Sequence, residues 1–209
     1  MKSTFTFLFI FAVIFAYSQK FQSATLELAN GQQKTGLVNA KSLSAKQIKF
    51  KTDENAKEET IPNSSLKSII FMSDHKSYQL DYLTFYTTAK RKQTESNWML
   101  KLVSGYYNLY TVADYSFDKK GNLKLSTHYL VGSTLPEFYY FIKKHDQNTG
   151  DFFAVQSPSP TYFGLHKILQ ENVGRFMADD KNLVAKVESK KYSTKNIEQI
   201  VTDYNNTKK

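Results

Sequence analysis

The run Trp98 to Tyr110, WMLKLVSGYYNLY, limits what this chain can fold into more than any other stretch. It is the densest apolar and aromatic segment after the N-terminal one, and it holds the only Trp. Read as extended chain, it carries Trp98, Leu100, Leu102 and Tyr106 on one face. Met99, Val103, Tyr107 and Leu109 fall on the other. A strand that is apolar on both faces is stable only when both are covered. The run therefore belongs at the centre of a sheet against which the rest packs. Either Ser104-Gly105 turns it into a hairpin or Gly105 marks a bulge in one long strand. A long amphipathic helix is the competing reading, opposed by the glycine and the clustered aromatics.

Short strands precede this centre. Ala24 to Leu28 alternates, Asn30-Gly31 is a tight-turn pair, and Lys34 to Val38 returns. Gly36 within it signals a bulge or a close approach. Gln47 to Lys51 alternates again and Asp53 to Glu59 is a charged loop. Thr60-Ile61-Pro62 suits an edge strand, because Pro cannot donate into a ladder. Ser65 to Met72 is a further strand. This spacing suggests a small antiparallel barrel over 22–72, like SH3-type barrels, or a strongly bent sheet. A meander over 76–156 follows. It comprises Lys76 to Thr87, a polar connection Thr88 to Asn97, the central run, and a turn at Lys119 to Asn122. Strands over Leu123 to Val131, Glu137 to Lys144 and Asp151 to Val155 complete it. On sequence, 19–158 is one β-rich domain or two.

Ser157-Pro158-Ser159-Pro160 breaks the pattern, and 159–209 reads as helical. Tyr162, Leu165, Ile168, Leu169 and Val173 show helical spacing, which Gly174 interrupts. Asp179-Asp180 offers an N-cap ahead of Leu183, Val184 and Val187. Ser193 or Thr194 can cap a last helix whose stripe is Ile197, Ile200, Val201 and Tyr204. The predicted fold class is α+β. An antiparallel, strongly bent sheet or small barrel fills the N-terminal three quarters, followed by two to three helices.

The first eighteen residues have another character. Lys2 is followed by an uncharged apolar run from Phe5 to Ala16, and Ala16-Tyr17-Ser18 supplies a small-x-small site. That order is the pattern of a secretory signal peptide over 1–18. The run is shorter than the roughly 20 residues of a membrane span, so no span is expected after its removal. The chain has no Cys, which excludes a lipoprotein anchor and disulfides. Stability must come from an ordinary core. At this length roughly 70% of the unfolded chain's surface can be buried.

The formal net charge is +9, from 28 basic and 19 acidic residues. Loss of residues 1–18 removes Lys2 and no acid. Only Arg91 and Arg175 are Arg. Lys-rich charge spread along an exported chain argues against nucleic acid, where bidentate Arg contacts dominate. An anionic lipid or glycan remains compatible with it.

Three features carry a resemblance: the strands around Leu100 to Tyr110, the aromatic strand Phe138 to Lys144, and the helical end. In that end Asp180, Leu183 and Lys186 precede Ile197, Ile200, Val201, Tyr204 and Asn205. In these the chain resembles a group of uncharacterised exported proteins of Bacteroidota-type bacteria. The group often carries a Cys beside the acidic residue before the penultimate helix, where this chain has Asp179-Asp180-Lys181. The resemblance implies export and an α+β fold, and it brings no activity or binding residue.

No catalytic motif is present. His75, His128, His145 and His166 are too far apart in sequence for a metal pair on one element. Nucleophile elbow, P-loop and dinucleotide fingerprints are absent. Gly132-Ser133 offers a bare serine. Asp53-Glu54, Glu58-Glu59 and Asp179-Asp180 are adjacent in sequence, whereas glycosidase carboxyls must face across a cleft. No catalytic residue, metal or cofactor is expected. The surplus of Tyr is the remaining signal. Tyr106, Tyr107 and Tyr110 are the candidate binding residues, as an exposed aromatic surface. The expected function is a non-catalytic binding or accessory module of the cell envelope, periplasmic, outer-surface or secreted, with an envelope protein or a glycan as partner. The alternative is a hydrolase that brings His128 or His145, a carboxylate and a hydroxyl into one pocket.

Overall fold

The computed structural model describes residues 21–73, 76–131, 133, 135–158 and 164–208. The expected signal peptide lies outside these residues, as do His75, Gly132, Ser159, Pro160 and Tyr162. Among the described residues twelve strands precede three α-helices, and the class is α+β. The strands are β1 (Phe21–Leu28), β2 (Gln33–Asn39), β3 (Gln47–Lys51), β4 (Glu59–Pro62), β5 (Leu66–Ser73) and β6 (Lys76–Tyr86). They continue as β7 (Thr94–Val103), β8 (Asn108–Val112), β9 (Asp114–Phe117), β10 (Leu123–Ser126), β11 (Phe138–Lys143) and β12 (Thr149–Gln156). The helices are α1 (Leu165–Phe176), α2 (Lys181–Glu188) and α3 (Ile197–Asn206). Among the described residues no helix is long and apolar enough to cross a membrane.

The chain groups into two compact units. The first holds the described residues up to Gln79 together with Tyr115–Lys124. The second holds Leu80–Asp114 and the described residues from Leu125 onward.

In the first unit the strand order is β4-β3-β2-β1-β5, with the start of β6 beside β5. The β1–β2 hairpin turns at Asn30-Gly31, where Gly31 has φ +84°. Gly36 marks a close approach: a Cβ there would lie 2.7 Å from the Phe50 ring and strike the Lys51 carbonyl. Pro62 sits in β4, at the sheet edge, where a missing donor costs no ladder bond. Alternation puts Leu26, Val38, Ile48, Phe50, Ile69 and Phe71 into the core.

In the second unit β6, β7, β8, β11 and β12 follow one another as antiparallel neighbours. The sheet then closes on itself. β12 returns parallel to β6 at Thr149↔Thr84 and Gly150↔Phe85. The interior of this five-stranded barrel is filled by Phe85, Met99, Tyr110, Val112, Tyr139 and Phe141. Phe85 and Phe141 pack with ring centroids 4.4 Å apart. On the other face Leu109, Ile142 and Ala154 meet the helices through Leu169, Ile200 and Val201. The side chain of Asn172 on α1 donates to the Phe153 carbonyl of β12 at 2.8 Å, so a ladder position that β6 does not reach is still satisfied.

The central run is a hairpin. β7 and β8 pair at Leu100↔Thr111 and Lys101↔Tyr110, with a bulge before Val103↔Leu109. Three boundaries differ from the sequence reading. β7 begins at Thr94, inside the stretch read as a connection, because Thr94 to Asn97 continue the ladder to β6 and Ser96 bonds Thr84 at 2.8 Å. β10 ends at Ser126, well before Val131. Beyond it, among the described residues, His128 makes an isolated bridge to Glu137, while Leu130 turns inward. Gly174 does not interrupt α1, since buried Val173 and Met177 hold the turn around it. Their packing outweighs the roughly 1 kcal/mol of an interior glycine. Asp180 caps α2 as expected, accepting from the Leu183 amide at 2.9 Å. Ser193 makes a capping box with Asn196, but on the 3-10 turn Thr194–Asn196 that leads into α3, whose own first residue is Ile197.

Candidate binding site

The three candidate tyrosines do not share one exposed surface. Tyr106, at the tip of the β7–β8 hairpin, is 42% exposed, whereas Tyr107 and Tyr110 are buried. Strand alternation turns Tyr110 into the barrel. There its hydroxyl donates to Asp81 at 2.9 Å, and Lys101 pairs with the same carboxylate at 3.0 Å. Tyr107 is covered by α3. Its ring stacks on Tyr204 at 5.8 Å. Its backbone N–H and C=O both bond the Asn205 side chain, each at 2.9 Å. Lys144 lies over the Tyr106 and Tyr107 rings at 4.6 and 5.5 Å. This part of the aromatic surplus fills core and seats a helix.

The tyrosine hydroxyls find partners as the rings go inside. Tyr204 donates to Asp179 at 2.8 Å and Tyr140 to Gln156 at 2.9 Å. Burial, with the nearby charge of Glu198, pushes the Tyr140 hydroxyl up to about 12. Burial also raises Tyr107, Tyr110 and Tyr204, with the carboxylates of Asp81 and Asp179 adding to the last two. A folded pKa above the unfolded one gives stability that is complete below the unfolded value of about 10 and lost as pH rises through the folded one. The fold should therefore resist mild alkali and unfold cooperatively as pH passes from about 10 to about 12. Ultraviolet titration of tyrosinate checks this. Smooth ionisation of every tyrosine near its ordinary value, with the fold intact, would contradict it.

An open site lies where the helices stop. They cover the outer face of the barrel over Leu109, Ile142 and Ala154 but leave a groove over its continuation. The floor is Leu102 of β7, Thr111 of β8, Phe138 and Tyr140 of β11 and Gln156 of β12. Phe138 is paired with Gln156, and Tyr140 with Thr111, across the ladders. Leu125 and Pro158 wall the groove, and Glu198 of α3 faces it. Its volume is about 400 Å³. A second hollow of about 280 Å³ shares Tyr140, Gln156 and Glu198 and adds Thr194, Lys195 and Gln199. Among the described residues the Glu198 carboxylate has no hydrogen bond or ion pair. Such a groove offers ring faces, an amide and a carboxylate to one ligand.

Sequence reasoning placed Phe138 and Tyr140 on a strand and did not assign them to a site. The available signal was aromatic residues on both faces of that strand: Tyr139 and Phe141 turn into the barrel, Phe138 and Tyr140 out of it.

The described histidines are separate. The Nδ1 of His128 lies 2.8 Å from Asp114 Oδ1, and the Ser126 hydroxyl donates to the Asp114 backbone carbonyl at 3.3 Å. His145 is exposed in a turn. The Nε2 of His166 meets the Val187 carbonyl at 3.0 Å, joining α1 to the end of α2. Among the described residues no three His, Asp or Glu side chains are grouped to hold a metal ion. The chain matches no protein-family model, no curated protein sequence and no solved structure.

Proposed function

We propose that this chain is an exported, non-catalytic binding module of the cell envelope whose groove holds a short neutral saccharide. The signal-peptide pattern of residues 1–18 and the resemblance to exported Bacteroidota-type proteins support export. The observation that carries the binding reading is the pairing of Phe138 and Tyr140 with Gln156 and Glu198 in one groove. Aromatic faces suit the C–H face of a sugar ring. A carboxylate accepts hydroxyl donors, and an amide both donates and accepts. The volume lies at the low end of the roughly 300–1,000 Å³ typical of small-ligand sites.

Calorimetric titration with a panel of neutral envelope-type oligosaccharides tests it. One class should bind, and Phe138→Ala and Gln156→Ala should each weaken that binding about tenfold, roughly the worth of one good contact, with the melting temperature held. Absence of binding to every saccharide, or binding indifferent to both substitutions, would overturn the proposal. The hydrolase alternative draws on the His128–Asp114 pair. It needs a hydroxyl at the other ring nitrogen of His128, and the Ser126 hydroxyl points to the Asp114 carbonyl instead. The binding reading is therefore preferred.

A further inference from the structure

The polar groups of the groove have a fixed sense. The Tyr140 hydroxyl donates to Gln156 Oε1 at 2.9 Å. A glutamine amide has one accepting end and one donating end. With Oε1 held by Tyr140, the side chain is oriented, and the Nε2 end is the one left to meet a ligand. Among the described residues Nε2 makes no hydrogen bond. Tyr140 is thus a positioning residue for Gln156 as well as a ring face.

Glu198 lines both hollows together with Tyr140 and Gln156. Its charge helps to raise the Tyr140 hydroxyl, which places the carboxylate near the same pair. An ionised carboxylate can only accept. The groove therefore offers one oriented donor and one obligate acceptor, against an apolar wall of Leu102, Leu125 and Pro158.

A sugar hydroxyl can donate or accept, so hydroxyls alone make no use of that fixed sense. An acetamido group does. Its carbonyl only accepts, its N–H only donates, and its methyl is apolar. Each part has one counterpart in the groove. We propose that the groove selects saccharides bearing an acetamido group, whose carbonyl accepts from Gln156 Nε2, whose N–H donates to Glu198 and whose methyl packs on the apolar wall. This inference rests on the saccharide reading and names the class of sugar.

Calorimetry with the full chain compares two probes, the trimers of N-acetylglucosamine and of glucose with the same linkage. They differ in carrying an acetamido group or a hydroxyl. The acetamido trimer should bind about tenfold tighter or more, the worth of one or two hydrogen bonds. Gln156→Glu keeps the side chain's shape but sets an acceptor against the acetyl carbonyl, and should cut that ratio to about threefold or less. Tyr140→Phe keeps the ring and lets Gln156 turn, so it should narrow the ratio as well. Glu198→Gln retains an acceptor and should keep the preference, whereas Glu198→Ala should lose much of it. The melting temperature reports whether each variant is folded, and the ratio for the unsubstituted chain is decisive without any variant. Equal binding of the two trimers would overturn this proposal and leave the saccharide reading standing. A preference untouched by Gln156→Glu would overturn it too. If neither trimer binds, the acetamido assignment falls, and the saccharide reading falls with it only when the wider panel also fails.

Discussion

Replacing Arg91 by alanine is expected to destabilise the protein by about 3 kcal/mol. Its Nε and Nη2 donate to the two carboxylate oxygens of Asp151 at 2.6 and 2.8 Å. The guanidinium lies 5.5 Å over the Tyr86 ring. Asp151 is 4% exposed, so removing Arg91 strands a buried carboxylate. Breaking a buried pair costs about 3–5 kcal/mol. The low end applies because the Arg91 side chain is 43% exposed and partly screened by water. Arg91 also holds φ +52° in the β6–β7 turn, a left-handed conformation that a side chain disfavours by roughly 1–2 kcal/mol. Arg91→Gly should therefore recover about 1 kcal/mol relative to Arg91→Ala. Arg91→Lys should rescue only in part, because lysine lacks the two-pronged donor. Urea unfolding followed by circular dichroism reads all three. A loss below about 1 kcal/mol for Arg91→Ala would show that water already satisfies Asp151.

The second large effect is expected at Asn205. This buried side chain accepts from the Tyr107 amide and donates to the Tyr107 carbonyl, across 98 residues of sequence. Asn205→Ala leaves two buried backbone groups without partners, at about 1–3 kcal/mol each. The expected total is about 2–5 kcal/mol. Gly105 lies against the same side chain. A Cβ there would come within 2.6 Å of the Asn205 amide carbon. Gly105→Ala should be costly alone and much less so in the Asn205→Ala background, a positive coupling in a double-mutant cycle. Hydrogen exchange at the Tyr107 amide gives an independent readout. If that amide stays protected in Asn205→Ala, another group satisfies it and the argument fails.

Features that depend on near neighbours in sequence were the ones that could be read from it. The strands 24–51 follow from alternation, the Asn30-Gly31 hairpin from its turn chemistry, and the two caps from Asp180 and Ser193. What escaped depends on distant partners. Tyr107 and Tyr110 looked equally available. Burial of one follows from barrel closure and of the other from Asn205, and neither partner is a neighbour in sequence. The groove escaped for the same reason. Phe138 and Tyr140 are only partly covered and line a groove that Glu198, at the N-terminal end of α3, faces, and periodicity says nothing of where a helix will lie on a sheet. Gly174 shows the converse error, a local preference overridden by the packing of Val173 and Met177.

Barrel closure also bears on the order of folding. β6–β7, β7–β8 and β11–β12 are hairpins or near-hairpins that close short loops. The parallel contact of Thr149 and Gly150 with Thr84 and Phe85 closes a far longer one. Loop-closure entropy opposes it until the antiparallel pairs are in place. The Arg91–Asp151 pair lies beside that seam, so its energy belongs to the last step of assembly. In the urea series the Arg91→Ala loss should then fall mainly on the unfolding rate, leaving the folding rate nearly unchanged. The seam acts as a latch whose strength sets how long the native state lasts.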